Sequence, residues 1–125
     1  MQDHRRLQVY QMAKDLVPEV YAVAAMLPPA ERYDLARQMR RAAVSVGSNI
    51  AEGCGRATRR DLCAFLDVAL GSARELEFQL DLCGRSDLAP PDLVATARGT
   101  TTSVQRMLTR LILRIRSPKP GTHDH

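Results

Sequence analysis

The 125-residue chain is the size of one domain, large enough to bury roughly two thirds of the surface its unfolded form exposes. Aromatic residues make up 4% and tryptophan is absent, so the core must be aliphatic, which suits interdigitated helices and argues against a β-sandwich. The net charge of +4 and the pI near 9.3 come from arginine, Lys14 and Lys119 being the only lysines; this balance permits a polyanionic partner without requiring one.

Residues 1–6 are polar and read as a frayed end. A first helix is predicted over 7–27, with Val9, Met12, Leu16, Val20, Val23 and Leu27 on one face and Tyr10, Val17 and Tyr21 on a flanking strip. Pro18 falls inside it and should bend it. Pro28 and Pro29 break the chain, and Pro29 fits the first turn of a second helix predicted over 29–52, where Glu31 suits the helix dipole. This helix has three faces. Leu35, Met39, Ala42, Val46 and Ile50 make an apolar stripe, and Arg37, Arg41, Ser45, Ser48 and Glu52 lie opposite. Ala36, Ala43, Gly47 and Ala51 form a strip of small side chains that lets another helix come close. Gly53 and Gly55 are expected to stop the helix in the left-handed conformation of a C-terminal cap.

Thr58 followed by Asp61 has the form of a helix start, opening a third helix predicted over 59–84. Two seams run along it. Leu62, Leu66, Ala69, Ala73, Leu76, Leu80 and Cys83 make one; Ala64, Val68, Gly71, Glu75, Phe78 and Leu82 make the other, nearly opposite, with Asp67, Arg74, Glu77 and Asp81 as the solvent edge. A helix of a monomeric bundle needs one seam, so the second predicts packing from both sides in a homo-oligomer. Residues 85–91 are a connection ended by a proline pair. A fourth helix is predicted over 91–116 on Leu93, Ala97, Val104, Leu108, Leu111 and Ile115, with Gly99 and the threonines after it weakening its middle. Arg106, Arg110 and Arg114 lie four apart on its outer face, and no acidic residue occurs between Leu93 and His123. Residues 117–125 read as a disordered tail. The expectation is a single domain over 1–125 with an ordered core of about 7–116: an all-α, antiparallel up-down-up-down four-helix bundle.

Two blocks carry a family resemblance. Gln38, Arg40, Arg41, Ala42, Ala43, Ser45, Ser48, Asn49, Ile50, Ala51, Glu52, Gly53 and Arg56 stand in the order of the signature of the bacterial "four helix bundle protein" family, and Phe65, Leu66, Ala69, Gly71, Ser72, Glu75, Leu76, Glu77, Gln79 and Leu80 match that family's third helix. The family includes proteins encoded by intervening sequences of large-subunit ribosomal RNA genes and was once mislabelled as ribosomal. The resemblance covers about Val9 to Leu113. It implies a four-helix bundle, a pentameric ring and no enzymatic activity. The accessory protein of diversity-generating retroelements has a similar fold and binds nucleic acid and a reverse transcriptase through a basic surface, so RNA, DNA or a reverse-transcriptase-like enzyme are the partners that analogy suggests.

Catalytic constellations are missing. His4, His123 and His125 are terminal and make no ligand set. Cys54, Cys63 and Cys83 are odd in number and lack metal spacing, and the last two read as small hydrophobes. Ser45 and Ser48 have no histidine in any ordered segment, Glu52, Glu75 and Glu77 have no second acid at ligand spacing, and no Gly-Lys-Ser/Thr follows the glycine turn. The chain is therefore expected to be no enzyme and to hold no cofactor or metal. It has neither a signal-peptide run nor a membrane-spanning stretch, which predicts a cytoplasmic protein.

The charged residues divide into three candidate sets. Arg40, Arg41, Ser48, Asn49, Glu52 and Glu75 are expected to form a structural polar network, with Glu75 paired to Arg40 or Arg41. Ala43, Gly47 and Ala51, with Val68, Gly71, Glu75, Phe78 and Leu82, are the candidate oligomer interface. For a polyanion there are Arg56, Arg59 and Arg60 at the turn into the third helix, with Arg37 and Arg41 nearby, and Arg106, Arg110 and Arg114 on the fourth. The fourth-helix stripe is favoured because no acid shares its stretch of helix. The reading is a non-enzymatic, ring-forming adaptor for nucleic acid or a nucleic-acid enzyme; the alternative is a structural protein-interaction ring without nucleic-acid contact.

Overall fold

The structure is a computed structural model that describes residues 4–117. Four helices, α1 (His4–Ala25), α2 (Leu35–Cys54), α3 (Arg59–Arg85) and α4 (Pro91–Arg116), make an all-α bundle in which each packs on the next and α4 returns to α1. Side-chain meetings give the directions. Gly53 near the end of α2 lies against Leu62 and Phe65 at the start of α3, while Met39 and Cys83 meet at the other end. Gly84 faces Val94, and Arg59 reaches the Ile115 carbonyl. Successive helices are therefore antiparallel, as the short connections require.

The apolar stripes meet in one core. Leu16, Val20 and Val23 of α1, Met39, Val46 and Ile50 of α2, Leu66, Leu76 and Leu80 of α3, and Val104, Leu108 and Leu111 of α4 are all fully buried or nearly so. On α4 the buried line runs through Val94, Thr101 and Ile112, while Leu93 and Ile115 are half-buried flanks. Thr101 is tolerated there because its hydroxyl donates to the Ala97 carbonyl at 2.7 Å. Helix α4 is unbroken through Gly99, and Pro18 sits within a continuous α1.

Helix ends depart from expectation in three places. Pro29–Glu31 form a single 3-10 turn with no buried residue, and α2 begins at Leu35, where its apolar stripe begins. Glu31 therefore lies outside the first turn of α2. Helix α2 runs through Gly53, and Gly55 caps it at φ −88°, in the right-handed region, so neither glycine is left-handed. The left-handed residue is instead Asp87, φ 52°, after α3. There Leu88 N–H donates to the Cys83 carbonyl and Asp87 N–H to that of Gly84, the paired bonds of a Schellman cap. The Thr58 cap forms as expected, its hydroxyl oxygen accepting from Asp61 N–H at 3.1 Å. Of the frayed start expected over 1–6, residues 4–6 belong instead to α1, and residues 1–3, like 118–125 of the tail expected over 117–125, lie outside the described residues.

Candidate self-association face and arginine surfaces

The two seams of α3 meet opposite fates. Leu62 through Cys83 face the core, whereas Ala64, Val68, Gly71, Glu75, Phe78 and Leu82 all stand exposed. Phe78 is 67% exposed and Val68 52%, and nothing lies within 4 Å of the point where a Gly71 side chain would begin. Exposed apolar residues are ordinary one by one, but a row along one helix face makes it a candidate contact surface.

The small-residue strip of α2 does a different job from the one expected. Ala36 and Ala43 are buried inside the subunit, and a Cβ added at Gly47 would stand 3.8 Å from that of Ala13 of α1, so this face of α2 lies against α1. Ala43 has no surface left for a second chain; of the strip, Ala51 is the exposed member. Gly53 serves the neighbouring contact. An added Cβ there would stand 3.0 Å from that of Phe65, closer than side chains pack.

The polar network is also rearranged. Ser45 and Ser72 hydroxyls share a hydrogen bond of 2.8 Å across α2 and α3, and the Asn49 amide donates to the Ser45 carbonyl at 2.8 Å and to its hydroxyl at 3.1 Å. This small link was legible only as two serines within the motif blocks, since sequence alone does not bring Ser72 opposite Ser45. Ser48 is exposed, and Glu52 pairs along its own helix with Arg56 at 3.0 Å. Glu75 has no arginine partner among the described residues; its carboxylate accepts from the Gln79 amide at 3.2 Å. Gln79 is only 3% exposed, and its own carbonyl oxygen is buried without a partner. A buried acceptor left unpaired costs about 1–3 kcal/mol. These two side chains line a groove between α2 and α3 together with Glu31, Asp34, Phe78 and Leu82.

On the other flank of α2, Arg37, Arg40 and Arg41 border a shallow concavity with Tyr21 and Val44. None of the three arginines has an ion pair among the described residues, and Tyr21 and Val44 are exposed.

The candidate polyanion contacts are placed as follows. Arg56 stacks over the Phe65 ring at 4.7 Å while paired to Glu52. Arg59 Nη2 donates to the Ile115 carbonyl at 2.6 Å, which ties the start of α3 to the last turn of α4. Arg116 pairs with Asp67, closing the same end. Arg60 is exposed. Arg106, Arg110 and Arg114 are all exposed and unpaired among the described residues, and the acids Asp15 and Glu19 of α1 do not meet them. Arg59 and Arg116 thus tie the start of α3 to the end of α4, while the Arg106–Arg110–Arg114 row runs back from that end along α4.

Cys63 and Cys83 are buried, and the Cys83 thiol donates to the Met39 sulfur at 3.8 Å; Cys54 is exposed. Burial pushes the Cys83 thiol above its ordinary pKa, and Glu31 adds in the same sense. For Cys54 the rise from burial is opposed by Arg6. Among the described residues no group of three or more His, Cys, Asp or Glu is arranged to hold a metal ion, and no helix is long and apolar enough to cross a membrane.

Comparison with known proteins agrees with the helical architecture. Residues 5–110 match the family described as "23S rRNA-intervening sequence protein". Among solved structures, a protein of unknown function from the S23 ribosomal protein family of Bacteroides thetaiotaomicron superposes with a TM-score of 0.78 at 20% identity, covering 87% of this chain and 98% of that one. No curated protein sequence matches.

Proposed function

As the chain belongs to the 23S rRNA-intervening sequence protein family, we propose that it is a non-enzymatic, self-assembling adaptor that binds RNA or DNA, or an enzyme acting on them, through the arginine stripe of α4. The family name refers to an intervening sequence of 23S rRNA and to no reaction. The observation that carries the reading is the row Arg106, Arg110 and Arg114, exposed and without an ion pair among the described residues. Guanidinium groups free of carboxylates are available for phosphate oxygens, which they engage bidentately. Assembly of several subunits would repeat the row and add avidity to weak contacts. Free cysteines suit the reducing cytoplasm, where we place the protein.

The test is binding to labelled RNA and DNA across a salt series. Replacing Arg106, Arg110 and Arg114 by glutamine should weaken binding and flatten the slope of log affinity against log salt by about 2–3. Unchanged binding, with Arg56, Arg59 and Arg60 proving necessary, would move the site to the turn into α3. Absence of binding at low salt would leave the second reading, a protein-interaction ring without nucleic-acid contact. The apolar outer face of α3 favours that reading, because it suits a protein surface and not a phosphate backbone.

A further inference from the structure

Two grooves flank α2, and they are opposites. A shallow groove across the outer face of α2 presents Arg37, Arg40 and Arg41, with Ser45, beside exposed Tyr21 and Val44. The α2–α3 groove presents Glu31, Asp34 and Glu75 beside exposed Phe78 and Leu82. Within one chain the two sets do not pair: among the described residues no ion pair joins these arginines to these acids. At the floor of the acidic groove, the buried Gln79 donates to Glu75 and keeps its carbonyl oxygen without a partner. The exposed Glu75 carboxylate keeps lone pairs for the several donors of one guanidinium, while the Gln79 oxygen is buried within the subunit.

We propose that the arginine groove of one copy seats the acidic groove of a second copy, with Arg41 meeting Glu75 while Phe78 and Leu82 pack on Tyr21 and Val44. This rests on the self-assembling reading above and names the surfaces that mate. The occupant is a second copy because the charge and apolar character of each groove complement those of the other on the same chain. Each subunit offers both halves, so the contact is heterologous and runs head to tail. It also leaves the α4 arginines outside the contact and available to another partner. The carboxylate–arginine pair that the sequence leads one to expect within α2 and α3 is then made between subunits.

Charge reversal tests it on the full chain. Arg41→Glu and Glu75→Arg, each alone, should raise the self-association Kd by roughly a hundredfold or more, since each leaves like charges facing across a desolvated contact. Helix content by circular dichroism should stay at the wild-type level. Combining both changes in one chain should restore assembly, because every contact of a ring then pairs opposite charges again. If both single variants assemble like the wild type, or if the double variant restores nothing, the proposed mating is wrong. If they assemble normally while Phe78→Asp dissociates the protein, the mating of the two grooves falls and the α3 face meets another surface. Loss of RNA binding by Arg41→Glu with assembly intact would make the arginine groove an anion site and overturn the proposal. A wild-type chain that sediments as a monomer at micromolar concentration would overturn the proposal together with the self-assembling reading.

Discussion

At Gly53 the sequence marked the right residue for the wrong reason. A glycine near a helix end suggests a left-handed cap, but here the helix continues and α3 presses against it, leaving 3.2 Å from the added Cβ to the Leu62 carbonyl oxygen. Gly53→Ala should therefore destabilise the fold by about 1–3 kcal/mol through overpacking. Gly99, exposed on α4 with nothing within 4 Å, offers the contrast: Gly99→Ala should stabilise by about 1 kcal/mol. Urea midpoints at constant slope would separate the two effects. The thiols give a second residue-scale expectation. A thiol reagent should label Cys54 in the native protein and all three cysteines in denaturant. The native Cys83 thiol holds its proton more tightly than the unfolded one, so between the two pKa values the native state binds more protons. Its contribution to stability is thus present below the ordinary thiol range and is lost as the pH rises above it; Cys83→Ala should flatten the alkaline decline in unfolding free energy.

Among the elements, α3 carries the most information. Its two seams were legible as periodicity, and the structure buries one and exposes the other. Phe78→Asp should abolish self-association, measured by sedimentation, while far-ultraviolet circular dichroism keeps its helical amplitude, because Phe78 contributes to the outer face and not to the core. The end of α3 was not legible. Asp87 adopts the left-handed conformation that glycine or asparagine usually fills, so composition gave no sign of a Schellman cap there. Asp87→Gly should raise stability by about 1 kcal/mol by relieving the left-handed penalty, read from thermal or urea unfolding. The start of α2 shows the reverse error. Pro29 fits a first helical turn, yet the continuous helix waits until Leu35, since the turn over Pro29–Glu31 buries no side chain and Tyr33 points to solvent.

For the whole molecule the antiparallel order decides which charges are neighbours. The start of α3 and the end of α4 meet through Arg59 and Ile115, and Arg116 reaches Asp67, so arginines far apart in sequence collect at one end of the bundle. Assembly is the proposal that belongs to this scale. The second seam and the heterologous grooves predict a species larger than a dimer, and the family resemblance suggests five subunits. Sedimentation equilibrium at micromolar concentration should return a mass several times 13.9 kDa. A heterologous contact closes only if its rotation permits, so subunit number is a measurement and not a deduction from one chain.

By itself the sequence determined the helical class, the four elements and most core positions, because apolar spacing of three and four residues is a local property of each helix; on α4 it chose Leu93 and Ile115 where Val94, Thr101 and Ile112 are buried. It also marked the outer seam of α3, since a second seam is visible without knowing its partner. Only the tertiary structure decided which small residues face which helix, turning Ala43 and Gly47 inward to α1 and Gly53 toward α3. It separated the arginines held by Glu52, Asp67 and the Ile115 carbonyl from Arg106, Arg110 and Arg114 of α4 and those beside Tyr21, which have no ion pair among the described residues. It also left Glu75 facing Gln79 instead of an arginine. Helix pattern reads out each element's own faces, whereas the pairing of a side chain depends on the rotation of one helix against another, which no single helix encodes.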